Sequence, residues 1–215
     1  MKRQSNYERQ CEEWRQRFLA MDVKDLRARL PELREEGPWL TLRHFGRRLG
    51  VRLETGRIEA LDDGLPVSVN ERLNVYTLFA YCKPGARLTG SWVPFRSLRN
   101  AGPFGPAFQR GVVEAYACSA SGHMDDLRRA GGILGARLLP QSDLGLELSA
   151  FACMPVRYLL WEGDEEFPAQ ANVLFDESAV DFIHVESVVT VATAGYVRLA
   201  AAAGLPLATG AFGME

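Results

Sequence analysis

The stretch Leu144-Gly-Leu-Glu-Leu-Ser-Ala-Phe151, followed by Val156-Arg-Tyr-Leu-Leu-Trp161 and Ala171-Asn-Val-Leu-Phe175, decides the fold. Each run is short, rich in aliphatic, aromatic and β-branched residues, and separated from the next by a gap of turn length. Residues 134–139 predict one more strand before them. Consecutive strands with short connections usually pair as antiparallel neighbours, so this half of the chain predicts a meander.

Helical periodicity is found on both sides of these strands. In the first segment, apolar residues recur at alternating steps of four and three: Tyr7, Cys11, Trp14, Phe18 and Met21. This spacing predicts an amphipathic helix whose apolar stripe packs on the core. Ser68 and Glu71 form a capping box that begins another helix, which ends near Lys83. We predict further helices over residues 22–30, 107–118, 124–130 and 185–203.

Alternating apolar residues and three glycines between residues 40 and 58 indicate two or three short antiparallel strands. The chain has 215 residues, 47% of them hydrophobic, and can bury a core without a disulfide or a metal. No internal repeat or linker-like segment divides it. We therefore predict a single α+β domain over residues 1–215, a mostly antiparallel sheet with helices packed on it.

Acidic residues are concentrated in the last third of the chain. Residues 151–215 hold 9 Asp and Glu against 2 Arg, although the net charge of the whole chain is only −2. Eight of these acids fall between Glu162 and Glu186 without one Lys or Arg. The basic residues elsewhere are interleaved with acids and form no block. This distribution predicts no nucleic-acid partner, because phosphate binding needs a continuous basic surface.

Several common classes of protein are excluded by their motifs. The sequence contains no phosphate-binding G-x-x-x-x-G-K-[ST], no G-x-G-x-x-G after a strand, no H-E-x-x-H and no G-x-S-x-G. Its four cysteines are Cys11, Cys82, Cys118 and Cys153, and their spacing contains no C-x-x-C. We therefore expect neither a zinc ribbon nor an iron–sulfur cluster, and we expect the four cysteines to be buried thiols in a reducing cytoplasm.

Two segments bear on localisation. Residues 1–17 are highly charged where a signal peptide needs an apolar stretch. The longest uncharged run, residues 199–214, has 16 residues, fewer than the ~20 that cross a bilayer. We predict a cytoplasmic protein without a membrane anchor.

The string Trp161-Glu-Gly-Asp-Glu-Glu-Phe-Pro168 is the most unusual segment, and we call residues 162–166 the acidic hairpin. Carboxylates held this close raise one another's pKa unless a cation, an arginine or backbone N–H groups compensate. Four interpretations stay open: acids that are solvated or paired with internal arginines, a bound Ca²⁺ or Mg²⁺, a docking surface, and acid–base catalysis by Glu162, Asp164 and Glu166.

Two structural predictions follow for this segment. Trp161 and Phe167 bracket the acids, and we expect both rings to be buried anchors. The hairpin contains no base of its own, so we expect Arg96 to pair with its carboxylates, because arginine suits bidentate carboxylate binding.

These residues also carry a resemblance to a known family. The W-E-G-D-E-E-F-P string, together with residues 88–96, 106–108 and 172–176, resembles the prokaryotic family catalogued as domain of unknown function 3786, found largely in anaerobes. The resemblance runs from about Tyr7 to Leu199. It implies a cofactor-handling role, since some relatives carry cysteine-rich iron–sulfur segments or belong to corrinoid and one-carbon metabolism.

This chain departs from the family pattern at two points. It lacks the cysteine cluster, which removes a direct redox role here. Ile183-His184-Val185-Glu186 stands where relatives tend to show Leu-Pro-Thr-Glu, so Glu186 is a better candidate ligand than His184.

Our leading hypothesis is a soluble binding module of anaerobic metabolism that handles a cofactor or metal. Its site is expected between the aromatic loop 90–108 and the acidic hairpin, with a small molecule, a cation or a protein as partner. The alternative is a carboxylate-based or cation-assisted enzyme that uses residues 162–166. The sequence identifies no cofactor or oligomeric state. The candidate binding residues are Trp92, Phe95, Arg96, Trp161, Glu162, Asp164, Glu165, Glu166, Asp176 and Glu186.

Overall fold

The structure is a computed structural model that describes residues 6–207. Its helices are α1 (Asn6–Leu19), α2 (Val23–Arg29), α3 (Val69–Tyr81), α4 (Gly105–Phe108), α5 (Ala115–Ala120), α6 (Met124–Ile133), α7 (Ala179–Phe182) and α8 (Val185–Ala203). Its strands are β1 (Arg34–Glu36), β2 (Trp39–His44), β3 (Arg47–Arg52), β4 (Ile58–Ala60), β5 (Trp92–Pro94), β6 (Arg137–Leu139), β7 (Leu144–Phe151), β8 (Met154–Trp161) and β9 (Gln170–Asp176). The fold class is α+β, as predicted.

The strands form two antiparallel sheets rather than one. The first has the order β1-β2-β3-β4, and the second has the order β5-β9-β8-β7-β6. The predicted meander is the centre of the second sheet, where β8 pairs with both β7 and β9. The sheets meet where the backbone N–H of Phe45 donates to the carbonyl of Ala150 at 3.0 Å. One cluster of buried apolar side chains draws on both sheets and on the helices.

Most of the predicted helices are confirmed, and one boundary was wrong. The capping box at Ser68 and Glu71 is present at the start of α3. The predicted helix 124–130 is too short, since α6 continues through two glycines to Ile133. Gly131 is tolerated because it packs tightly: a Cβ there would lie 2.8 Å from a methyl carbon of Leu146. The predicted strand 134–139 therefore begins only at Arg137.

The aromatic loop contains more regular structure than predicted. Trp92–Pro94 forms β5, an edge strand that pairs with the end of β9. The helix predicted over 107–118 spans α4 and α5, which are joined by a π-helical segment, Gln109–Glu114. A π-helical turn inside an α-helix is uncommon and is often found at functional sites.

Within the described residues, α8 is the one helix long and apolar enough to cross a membrane. However, 67% of the relevant window is buried inside the protein, against α3, α6 and β7. This burial is typical of a core helix. Residues 208–214 of the uncharged run considered above lie outside the described residues.

Gly195 allows α8 to pack closely on the second sheet. A Cβ at this position would lie 2.0 Å from the hydroxyl oxygen of Tyr158 and 2.7 Å from the ring of Phe45. Both side chains are fully buried, so they have no room to move aside. We expect Gly195→Ala to lower the free energy of unfolding by about 1–3 kcal/mol, although alanine favours helices.

Gly132 in α6 is the matched control, because nothing lies within 4 Å of a Cβ built there. Gly132→Ala should raise the free energy of unfolding by about 0.5–1 kcal/mol through helix propensity alone. Urea unfolding of both variants measures the two effects. Equal stabilisation by both substitutions would contradict the close packing at Gly195.

Candidate functional site

The acidic hairpin is held by its own backbone and by a neighbouring turn. The carboxylate of Glu162 accepts hydrogen bonds from the backbone N–H of Gly122 at 3.0 and 3.2 Å and from the hydroxyl of Ser121 at 3.2 Å. Asp164 accepts from the backbone N–H groups of Glu166 and Phe167, both at 2.8 Å. These backbone hydrogen bonds, chiefly the one from Phe167, lower the pKa of Asp164.

Only glycine fits at position 163 of this turn, because a Cβ there would lie 2.6 Å from the backbone nitrogen of Ala169. Glu165 and Glu166 are exposed. Backbone N–H groups, rather than an arginine, therefore bind the carboxylates of Glu162 and Asp164 in the described structure. These hydrogen bonds stabilise a turn.

The prediction that Trp161 and Phe167 are buried anchors was wrong. Trp161 is 37% exposed and Phe167 is 62% exposed. Trp161 is the last residue of β8, beyond the buried part of that strand, and Phe167 lies in the loop that follows. Truncation of Trp161 therefore has little core packing to remove.

The prediction that Arg96 pairs with the hairpin was also wrong. Arg96 is exposed and, within residues 6–207, no carboxylate oxygen lies within 4 Å of it. A different arginine of the same loop reaches an acid: Arg99 and Lys83 bind Asp181 at 2.9 and 2.6 Å. Arg96 lies in a 3₁₀ turn directly after β5, beside Ala171 and Asn172 at the start of β9, and none of the described residues that line this region with it is an acid.

Asp176 fastens the aromatic loop to the end of β9. Its carboxylate is 2% exposed and accepts hydrogen bonds from the backbone and hydroxyl groups of Thr89 and Ser178 and from the backbone N–H of Gly90 at 2.7 Å. Burial alone would raise its pKa, but the hydrogen bonds, led by that from the Ser178 hydroxyl, lower the pKa to about 2. Asp176 is thus an ionised structural residue.

Trp92 is partly covered by a cation. The guanidinium of Arg157 lies 3.5 Å from the centre of the Trp92 ring and also donates to Glu147 at 2.8 Å. This arrangement uses one face of Trp92 within the fold.

Phe95 and Arg96 line a small cavity, which we call the Arg96 cavity. Its volume is about 180 Å³, and it lies between β5, the start of β9 and the helix that begins at Gly105. Phe95 is buried and stacks on Phe108 with 4.2 Å between ring centres. The polar side chains that line it are Arg96, Gln109 and Asn172, with no acid among the described lining residues.

Glu186 lines a second cavity of about 200 Å³, which we call the Glu186 cavity. It lies between α1, α3 and the start of α8, and its wall includes Tyr7, Trp14, Tyr81 and His184. The two cavities have no lining residue in common. The candidate residues therefore do not form one site. Glu162, Asp164 and Asp176 stabilise turns, and Phe95, Arg96 and Glu186 divide between the two cavities. The other four, Trp92, Trp161, Glu165 and Glu166, line neither cavity.

A larger cavity of about 760 Å³ lies beside α1 and the turn between β3 and β4. Its charged groups are largely engaged with one another. Arg72 binds Glu8 at 2.7 Å, and Arg15 binds Glu12 at 2.5 Å. We therefore place no site there.

Two buried polar residues, Arg47 and His44, were not predicted from the sequence. Arg47 in β3 binds Asp63 and Glu71. His44 is fully buried and accepts a hydrogen bond from Asn74, whose amide oxygen in turn accepts from the hydroxyl of Thr190 at 2.6 Å. Burial lowers the pKa of His44 to about 4, so its ring is neutral at pH 7. The capping box with Ser68 identified Glu71 in the sequence, but no local pattern indicated that Arg47 would bind it.

Within residues 6–207, no group of three His, Cys, Asp or Glu side chains has a geometry that could hold a metal ion. The expectation that all four cysteines are buried was wrong, because Cys118 is exposed and Cys153 is half-buried. Cys11 and Cys82 are buried, and burial raises the pKa of both thiols to about 11. The described part of the chain thus presents neither a metal cluster nor, at these two positions, a reactive thiolate.

Comparison with known proteins identifies the family. No curated protein and no solved structure matches the chain significantly. One family model matches residues 22–196, which include α2, both sheets and the first part of α8 but not α1. Three of the stretches quoted for the resemblance, 88–96, 106–108 and 172–176, contribute Phe95, Phe108 and Asn172 to the Arg96 cavity. The chain therefore belongs to the family described as a domain of unknown function, DUF3786.

Proposed function

We propose that this protein is a binding module for a small molecule with an anionic group, and that the Arg96 cavity is its site. The observation that carries the proposal is the character of the lining: one arginine, two amides and no acid, over a floor of stacked aromatic rings. Small-molecule sites combine apolar walls with a few convergent polar groups in this way.

The polar groups of this cavity favour hydrogen-bond donation. Arg96 has only donors, and it forms no ion pair within the described residues. The amide oxygen of Asn172 accepts from the backbone N–H of Val173 at 2.9 Å, which leaves its NH₂ group as the free part of the side chain. A carboxylate or phosphate oxygen matches such donors, because charge-assisted hydrogen bonds are the strongest available there.

The cavity size restricts the ligand. At about 180 Å³ it holds a small anion or one acidic arm of a larger cofactor, and it does not hold a whole macrocycle. A cofactor-handling role in anaerobic one-carbon or corrinoid metabolism, which the family resemblance implies, would thus use this cavity for a side arm. In the acidic hairpin, by contrast, Glu162 and Asp164 already accept hydrogen bonds from backbone N–H groups, which supports the Arg96 cavity over the hairpin as the site.

We expect acetate, pyruvate or inorganic phosphate to show saturable binding in calorimetric titrations, with Arg96→Gln weakening the binding by about tenfold or more. Arg128→Gln is the matched control, because Arg128 is also exposed but lies on α6 and does not line the cavity. Equal binding by wild type and Arg96→Gln would contradict the proposed site. Binding no stronger than that of chloride would contradict the proposed ligand class.

A further inference from the structure

The Glu186 cavity has the opposite chemistry to the Arg96 cavity. Aromatic rings and one carboxylate line it, and no Lys or Arg is among its described lining residues. Glu186 is exposed and forms no ion pair within residues 6–207. A carboxylate in the first turn of a helix is favoured by the helix dipole. The helix dipole explains a carboxylate at this position, but it does not explain why aromatic rings surround that carboxylate.

The rings form a connected wall. Trp14 and Tyr81 meet edge to face with 5.8 Å between ring centres, and Tyr81 lies 5.1 Å from the His184 ring. Tyr7 and Tyr81 are 47% and 42% exposed, so much of their surface is free for contact. The face of an aromatic ring carries negative charge and attracts cations. The guanidinium of Arg17 lies 4.4 Å from the ring centre of Trp14, a contact that uses one face of this ring within the fold.

The polar side of the cavity is held rigidly. Thr190 lines it and is bonded to Asn74, which is fully buried and bonded to His44. His184 caps α8: its Nδ1 accepts the backbone N–H of Glu186 at 3.3 Å. This hydrogen bond fixes the His184 ring at the start of α8, beside the cavity.

We propose that the Glu186 cavity binds a small organic cation with an alkylated ammonium group. Glu186 supplies the opposite charge, and Tyr7, Trp14 and Tyr81 supply faces that contact the alkyl groups. A compact ammonium ion is strongly hydrated and fits such rings less well, whereas an alkylated one loses less hydration on binding. The volume of about 200 Å³ equals that of several water molecules and suits an ion of this size.

This site is independent of the proposed anion site. The two cavities differ in lining, in charge and in position, and α1, which supplies Tyr7 and Trp14, lies outside the residues matched by the family model. Either proposal can therefore fail without the other.

The test uses choline and its uncharged carbon isostere, 3,3-dimethylbutan-1-ol, as probes in saturation-transfer NMR and calorimetry on the whole chain. We expect choline to bind in the millimolar range and the isostere to bind about tenfold more weakly. Equal binding of the two probes would show that the cavity selects shape and not charge, which overturns the proposal. Absence of choline binding at tens of millimolar also overturns it.

Variants locate the binding. Glu186→Gln and Tyr81→Leu should each weaken choline binding by about tenfold, while Tyr81→Phe keeps the ring and should bind as wild type does. Glu166→Gln removes the same charge from the exposed acidic hairpin and should have no effect. Glu186 and Tyr81 are both exposed, so these variants should fold, which circular dichroism and thermal unfolding verify. Choline binding that Glu186→Gln and Tyr81→Leu leave unchanged would overturn the proposed location.

Discussion

Replacement of Arg47 by methionine is expected to lower the free energy of unfolding by about 3–5 kcal/mol, the largest effect predicted for a single substitution in this protein. The Arg47 side chain is 4% exposed. Its guanidinium donates to Asp63 at 2.8 and 2.9 Å, to Glu71 at 3.0 and 3.2 Å, and to the carbonyl of Pro66 at 3.2 Å. Without it, the carboxylate of Glu71 remains buried and ionised with no counter-charge. Urea unfolding at pH 7 measures the loss.

A second substitution separates the charge effect from lost packing. Burial raises the pKa of Glu71, but hydrogen bonds from Ser68 and Arg47 outweigh it and hold the pKa below its usual value. In the Arg47→Met background, Glu71→Gln removes the unpaired charge and should restore part of the stability. If the double variant is no more stable than the single one, the unpaired carboxylate is not the cause of the loss. Asp63→Asn should cost less than Arg47→Met, because the Asp63 side chain is 32% exposed.

Asp176→Ala is expected to lower the free energy of unfolding by about 3 kcal/mol, because it leaves the backbone N–H groups of Thr89, Gly90 and Ser178 without their acceptor. The aromatic loop should also loosen, since Asp176 connects its first residues to β9. Hydrogen exchange of the Thr89 and Gly90 amides would report this loosening directly. Unchanged protection of both amides would contradict the anchoring role.

The same carboxylate predicts a pH dependence. In the folded protein its pKa is about 2, below the unfolded value of about 3.9, so the folded state binds the proton less tightly. The ionised form thus contributes about 2 kcal/mol of stability that is fully present above the unfolded pKa and is lost as pH falls towards 2. Asp176→Asn cannot titrate, so the difference in stability between wild type and this variant should shrink from pH 5 to pH 2. A difference that stays constant over this range would contradict the lowered pKa.

Local patterns were sufficient for much of the fold. The helix over residues 185–203 and the capping box at Ser68 and Glu71 follow from short-range periodicity and backbone hydrogen bonding, and both are present. The meander follows from strands separated by gaps of turn length. The end of α6 at Ile133 could not be predicted from local patterns. Glycine lowers helix propensity at its own position, whereas the packing of Gly131 against Leu146 is a tertiary contact.

The candidate site was predicted less well, for a related reason. The acidic hairpin was proposed as a site because of its charge. However, Glu162 and Asp164 accept hydrogen bonds from backbone N–H groups, and no sequence pattern identifies these donors. Arg96 was predicted as a partner because the hairpin has no base of its own and arginine suits carboxylate binding, whereas the structure places Arg96 in a cavity with no acid among its described lining residues. Glu186 was predicted as a candidate ligand of a site between the aromatic loop and the acidic hairpin, whereas it lines a cavity whose aromatic residues come from α1, α3 and the start of α8.

The sequence by itself determined the fold class, the main helices, the antiparallel meander and the family, because each depends on periodicity, turn residues or motifs that extend over neighbouring positions. Only the tertiary structure decided that the strands divide into two sheets, that Arg47 binds carboxylates 16 and 24 residues away, and that Tyr7, Tyr81 and Glu186 line one cavity. These arrangements depend on which buried surfaces come into contact when the whole chain folds. Charge pairing and cavity lining are properties of those contacts, and no local pattern specifies them.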